Sequence, residues 1–276
     1  MTQAHGDTRP IGIFDSGMGG LTVLRALHER LTQESFCYLG DTARLPYGTK
    51  SRDTVARYSL QAAAKLVERD IKMLVIACNT ATSAALQVLR ENFAPLPVIG
   101  VIEPGAAAAV AASRSGHIAV IATEGTIQGG AYHRAIHALK PDARITGQAC
   151  TLFVALAEEG WIEGDAVKSI ASRYLDPIFA SKKDNAPDTL LLGCTHFPPL
   201  KHSLQEIVGS EVRLVDSADT TAARVEVELQ QMGIASQGKA GELHFLTTDD
   251  TARFARVGSL FLGTRIIPQQ VERVDL

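Results

Sequence analysis

The 276-residue chain has few of the features that announce a function. No stretch reaches the roughly 20 consecutive apolar residues that span a bilayer, so a membrane role is not expected. Met1 to Asp7 is short and polar. It lacks the basic start and apolar middle of a signal peptide and reads as a frayed leader. A formal charge of −3 provides no positive field for nucleic acid. Cysteine is scarce, at four, and without secretory features these are expected to be reduced thiols of a cytoplasmic protein. No two stand in a Cys-x-x-Cys frame, which argues against a redox disulfide.

Cofactor signatures are missing as well. The turn Ser16-Gly17-Met18-Gly19-Gly20 follows an apolar run, yet it has neither the Lys-Ser/Thr of a P-loop nor dinucleotide-fingerprint spacing. Asp15 beside it would repel a phosphate. No motif marks a pyridoxal phosphate site. His133 and His137 have the spacing of two zinc ligands on a helix, but Arg134 stands where a metalloprotease has glutamate and no third ligand is evident. A solvated helix face is the better reading, and neither metal nor cofactor is expected.

What is present is an apolar run that ends in a cysteine, twice. Leu74-Val75-Ile76-Ala77 has the character of a strand buried on both faces. Cys78 follows, then Asn79 and Thr80 as candidate caps, then the helix-forming run Ala84 to Leu89. A thiol at such a junction faces unsatisfied N–H groups and the positive end of a helix, which favour its anion. Leu190-Leu191-Leu192-Gly193-Cys194-Thr195-His196 repeats the layout. A single cysteine after an apolar run is ordinarily a core residue. Two in one frame suggest two thiols facing one site. Cys37 and Cys150, within or at the end of apolar runs, read as buried small hydrophobes.

The 46% hydrophobic content suffices for one large domain or two ordinary ones. Strands are expected at 10–15, 36–39, 74–77, 98–102, 117–122, 144–149, 190–193, 212–216 and 242–247. Helices are expected at 21–31, 51–69, from the Asn79-Thr80 cap to about 92, and at 104–112, 128–140, 151–159, 165–180, beyond Pro199, 218–232 and 250–257. The strand and polar turn at 117–126 echo those at 11–17, and the second cysteine-ended strand echoes the first. The expected fold is therefore α/β: two similar α/β domains with mostly parallel sheets facing across a cleft. The first comprises 1–97 plus 213–276, the second 98–212. Ligands of parallel sheets sit at strand C-terminal ends, where Asp15, Asp41, Cys78, Thr123 and Cys194 all fall.

Two thiols on facing walls can exchange a proton with one carbon: one removes it, the other returns it from the far side, and the carbon inverts. Asp15 could hold a proton on the Cys78 side. His196, oriented by a carboxylate such as Glu158, could do so beside Cys194. Ser16, Asn79, Thr80, Thr195 and the Tyr47-Gly48 turn are candidate holders of substrate carboxylate and ammonium groups. Asp41 is left outside the catalytic set as a turn carboxylate.

Asp15-Ser16-Gly17-Met18-Gly19-Gly20, Pro46-Tyr47-Gly48, Ala77-Cys78-Asn79-Thr80-Ala81 and Gly193-Cys194-Thr195-His196-Phe197-Pro198, in this order over nearly the whole chain, resemble the glutamate racemase family. The resemblance implies cofactor-independent interconversion of L- and D-glutamate, supplying D-glutamate for bacterial peptidoglycan. It implies thiol bases at Cys78 and Cys194 assisted by Asp15, His196 and Glu158. The substrate contacts it implies are Asp15, Ser16, Pro46, Tyr47, Gly48, Asn79, Thr80, Thr123, Thr195 and His196. Family members are often dimers, so a homodimer is the expected assembly. One departure stands out: the family usually carries prolines before its assisting glutamate, whereas this chain reads Cys150 to Glu159 without one, with Glu158 at the family position. Aspartate or hydantoin racemisation on the same frame, and a non-catalytic amino-acid-binding protein, remain as alternatives.

Overall fold

A computed structural model describes residues 6–179 and 186–276. Most of the expected leader and the last residue of the helix expected at 165–180 lie outside them. Ten strands among the described residues form two sheets, and every ladder is parallel.

The larger sheet is built first. β1 (Ile11–Asp15) leads to α1 (Leu21–Arg30), and β2 (Phe36–Gly40) leads through a loop to α2 (Arg52–Val67). β3 (Met73–Ile76) leads to α3 (Asn79–Asn92), and β4 (Val98–Gly100) to α4 (Ile102–Ala112). The chain then forms the smaller sheet. β5 (His117–Ala122) is followed by α5 (Glu124–Gly129) and α6 (Ala131–Leu139), and β6 (Arg144–Ala149) by α7 (Leu152–Glu158) and α8 (Asp165–Phe179). β7 (Thr189–Gly193) leads to α9 (Lys201–Val208), and β8 (Arg213–Asp216) to α10 (Ser217–Met232). Finally the chain returns to the larger sheet with β9 (Leu243–Thr247), α11 (Thr251–Leu262) and β10 (Val271–Arg273). The strand orders are β10-β9-β2-β1-β3-β4 and β6-β5-β7-β8.

Apolar side chains of alternate residues feed cores on opposite faces, as the two-residue period of a strand requires. Ile11 and Ile13 join one core with Met73 and Val75, while Phe14 joins another with Leu74 and Ile76. In the smaller sheet Leu190 and Leu192 face one core and Leu191 the other. This two-sided burial is why the cysteine-ended strands read as unbroken apolar runs rather than alternating ones.

The ladders change sheet one strand later than the boundaries expected at 97/98 and 212/213. Val98–Gly100 pairs with β3 in the larger sheet, and Arg213–Asp216 with β7 in the smaller one. Pro95-Leu96-Pro97 punctuates a loop between neighbouring strands of one sheet; strand pairing, which is long-range, overrides the local signal. Other departures are local. The helix expected at 128–140 is two helices, split at Gly130, which takes φ 62°. The last helix continues to Leu262, ending at Gly263, and β10 had no expectation at all.

Candidate active site

The C-terminal ends of β1, β3, β5 and β7 contribute to one cleft of about 400 Å³. Both sulfurs line it, Cys78 from the larger sheet and Cys194 from the smaller.

Cys78 is itself the N-cap of α3. Its backbone is extended, and its Sγ accepts the Ala81 N–H at 3.4 Å. Asn79 and Thr80, the caps expected from sequence, instead occupy the first two helical positions. The sulfur therefore receives one of the free N–H donors of the helix's first turn directly. Its S–H donates to Ser16 Oγ at 3.4 Å. Burial pushes the Cys78 thiol up to about 12, the nearby Asp15 charge adds to the rise, and the Ser16 and Ala81 hydrogen bonds oppose it.

Asp15 lies fully buried behind the wall rather than on it. Its Oδ2 accepts the Gly17 N–H at 2.9 Å, and its Oδ1 has no hydrogen-bond partner among the described residues. Burial raises its pKa, with the charge of His196 the strongest opposing influence. Asp41, at the end of β2, organises the loop beyond it. It accepts from Arg44 Nε at 2.6 Å, from Tyr47 Oη and from Thr248 Oγ1 at 2.9 Å, and so anchors the Pro46-Tyr47-Gly48 segment at the cleft edge.

The second wall is built differently. Between Cys194 and α9 lie a turn, closed by Phe197 N–H to Cys194 O at 3.1 Å, and the short 3-10 segment Pro198–Leu200. No α-helix starts at this sulfur, contrary to the analogy with Cys78. The positive partner is a side chain instead. His196 Nδ1 lies 3.9 Å from Cys194 Sγ, and its Nε2 bonds Glu158 Oε1 at 3.1 Å. Glu158 Oε2 in turn accepts from Arg253 Nη2 at 2.8 Å. Burial works against a charged imidazole, but the hydrogen bonds to Cys194 and Glu158 and the charges of Cys194 and Asp15 outweigh it, raising His196 to about 10. Burial likewise works against the Glu158 carboxylate, and its bonds and charges from His196 and Arg253 hold its pKa down all the same.

The walls are tied together. Thr80 and Thr123 hydroxyls lie 2.9 Å apart and both reach Thr126. Thr22 Oγ1 donates to Thr195 O at 3.2 Å. At Gly19 a methyl group would overlap His196 Nδ1 and Thr195 Oγ1, so the glycine turn allows the two walls to close on each other.

Every expected site residue other than Asp15 lines the cleft: Ser16, Pro46, Tyr47, Gly48, Asn79, Thr80, Thr123, Glu158, Thr195 and His196 join the two cysteines. Glu158 takes its place without preceding prolines, at the end of α7. Sequence reasoning did not find Arg253, Thr126 or Tyr132, whose Oη donates to Asn79 Oδ1 at 2.6 Å. Arg253 is one of two arginines in the first turns of a mostly apolar helix, and nothing local distinguishes it from Arg256. Cys37 and Cys150 are buried away from the cleft. His137 Nε2 is hydrogen-bonded to the Ala143 carbonyl. A larger groove of about 1050 Å³, bordered by α3, α4, α6 and α10, has no thiol or imidazole in its lining.

Residues 11–225 match the Asp/Glu/Hydantoin racemase family, and the chain belongs to it. Within that family the similarity runs to glutamate racemases. The chain is 49% identical over 260 residues to the glutamate racemase of Geobacter metallireducens, covering 94% of each. The fold superposes on a glutamate racemase isoform of Bacillus anthracis with a TM-score of 0.91 at 36% identity, covering 97% of this chain and 98% of that one. It also matches the glutamate racemase of Francisella tularensis, solved in complex with D-glutamate, with a TM-score of 0.89 at 36% identity and 98% coverage of both.

Proposed function

We propose that this protein interconverts L- and D-glutamate with two thiols as its acid and base, supplying D-glutamate for peptidoglycan synthesis. The observation that carries the chemistry is one sulfur from each sheet on a shared cleft of about 400 Å³, a volume suited to a small amino acid. Near-full-length identity to glutamate racemases carries the substrate.

In this reading one cysteine, as thiolate, takes the Cα proton from one face of glutamate. The other, as thiol, gives its proton to the opposite face, and the carbon inverts with no net oxidation. The reverse direction exchanges the roles. The thiol pushed up to about 12 makes Cys78 a proton donor at rest. Asp15, buried beside it, biases that proton and can receive it. On the other side the His196 imidazolium pairs with negative charge on Cys194, and Glu158 with Arg253 holds the ring in orientation. The carbanion and the substrate carboxylates need donors: Ser16, Thr195, the Thr80–Thr123 hydroxyls, the Tyr47-Gly48 turn and the unpartnered Nδ2 of Asn79 supply them.

The test is racemisation of purified protein followed by circular dichroism with glutamate, aspartate and hydantoins. Glutamate is expected to exceed aspartate by about 10- to 100-fold in kcat/KM, the discrimination one methylene provides. Turnover of aspartate or a hydantoin but not glutamate would replace the substrate. Binding of an amino acid without exchange of its α-proton would replace catalysis altogether. No helix among the described residues is long and apolar enough to cross a membrane. The reading carries with it a cytoplasmic homodimer, checked by fractionation and sedimentation.

A further inference from the structure

Tyr132 lies on α6, packed with the smaller sheet, and is 2% exposed. It takes no part in the steps above. Its Oη donates to Asn79 Oδ1 at 2.6 Å, and Asn79 directly follows Cys78. The ring also lies against Gly193, the residue directly before Cys194: a Cβ there would stand 2.8 Å from Tyr132 Cε2. Gly105 of α4 closes another side, where a Cβ would stand 3.3 Å from Oη. A single side chain thus touches the residue after one sulfur, through its hydroxyl, and the residue before the other, through its ring.

The hydroxyl bond also orients a donor. Burial raises the Tyr132 phenol, with Ser217 opposing, so the hydroxyl keeps its proton. An O–H donor at this distance turns the carboxamide oxygen of Asn79 toward α6. The Nδ2 group is left buried, without a partner among the described residues, on a residue of the cleft wall. Unpartnered buried donors are rare in folded proteins, and one beside a cleft is open to an acceptor on a ligand.

We propose that Tyr132 is a positioning residue: its hydroxyl fixes the Asn79 carboxamide so that Nδ2 donates to a carboxylate oxygen of the substrate, and its ring keys that donor to the Cys194 strand. This rests on the amino-acid substrate proposed above.

Tyr132→Phe keeps the ring on Gly193 and removes only the hydroxyl. It is compared with Asn79→Ala and the double variant. The expected result is a KM for glutamate raised about tenfold in both directions with kcat within about threefold, the signature of lost ground-state binding. Asn79→Ala should match it, and the double variant should be no worse than the weaker single one. An unchanged KM, or effects that multiply in the double variant, would overturn the proposal. So would a fall in kcat and thermal midpoint with KM intact, which marks a packing residue only. A substrate-free readout separates this claim from the substrate reading. The Asn79 side-chain amide NMR signal, assigned by its loss in Asn79→Ala, is expected to shift or broaden in Tyr132→Phe. An unmoved signal overturns the orientation claim whatever the turnover. A moved signal in a protein inactive on glutamate sinks the substrate reading and upholds the orientation.

Discussion

His196 Nε2 and Glu158 Oε1 stand 3.1 Å apart, and this bond turns the other nitrogen of the ring toward Cys194 Sγ. The two sulfurs of the cleft are thus served by unlike devices, a helix N-terminus at Cys78 and an oriented imidazole at Cys194.

That pair makes stability depend on pH in a defined direction. The folded protein raises His196 from 6.5 to about 10, so it favours the protonated ring. Its stabilising contribution is complete below about 6.5 and is lost as pH rises through about 10. Glu158 is shifted down, so its contribution is present above the ordinary glutamate value and is lost as pH falls through its lowered one. The thermal midpoint should therefore decline from pH 7 toward 10. Glu158→Gln should flatten that decline and bring the His196 ring titration, followed by NMR, closer to 6.5. A parent ring that titrates near 6.5 would contradict the arrangement.

Gly19 separates the two kinds of damage, to fold and to site. A methyl group there collides with His196 Nδ1 and Thr195 Oγ1. Gly19→Ala should lower kcat by more than about tenfold, because displacement of a proton-handling group by a fraction of an ångström is costly. The thermal midpoint should drop by only a few degrees, roughly the effect of 1 kcal/mol. Retention of full kcat would show that the imidazole is not held where the chemistry needs it.

Lys72 provides the opposite case, stability without a role in the chemistry. Its ammonium group is fully buried, 2.6 Å from Glu34 Oε2, and donates to the carbonyls of Asp7 and Ile234. It pins the residues before β1 to the loop after α10. Lys72→Met strands the Glu34 charge and should destabilise by about 3–5 kcal/mol in denaturant unfolding. Lys72→Met with Glu34→Gln should recover much of that loss. Specific activity of the folded fraction should be unchanged in both. A loss below about 1 kcal/mol for the single variant would mean that the pair is not effectively desolvated.

Much of the site was legible because its pieces are local. A buried parallel strand reads as an apolar run, and the residue at its C-terminal end is displayed to the ligand; Cys78, Thr123 and Cys194 needed no more than that. The cap at Cys78 was misassigned to Asn79 and Thr80 because side-chain oxygens are the usual caps, and nothing local signals that a sulfur takes the role. The layout shared by the two cysteine runs hid a real difference, since the turn at Thr195–Phe197 delays the helix. Arg253 and Tyr132 were invisible for a different reason. Each acts on a residue distant in sequence, Arg253 on Glu158 and Tyr132 on Asn79, and only the folded chain brings them together. The sheet membership of Val98–Gly100 and Arg213–Asp216 is likewise a matter of long-range pairing.

The central claim is that each thiol serves one face of the substrate carbon. The most direct measurement is α-proton exchange of L- and D-glutamate in D2O, with no cofactor added, for the parent, Cys78→Ala and Cys194→Ala. The parent should incorporate deuterium at Cα as it racemises both enantiomers. Each single variant should lose racemisation by about a thousandfold, the effect expected of a missing acid or base. A variant lacking either sulfur that still racemises within tenfold of the parent would contradict the two-thiol account.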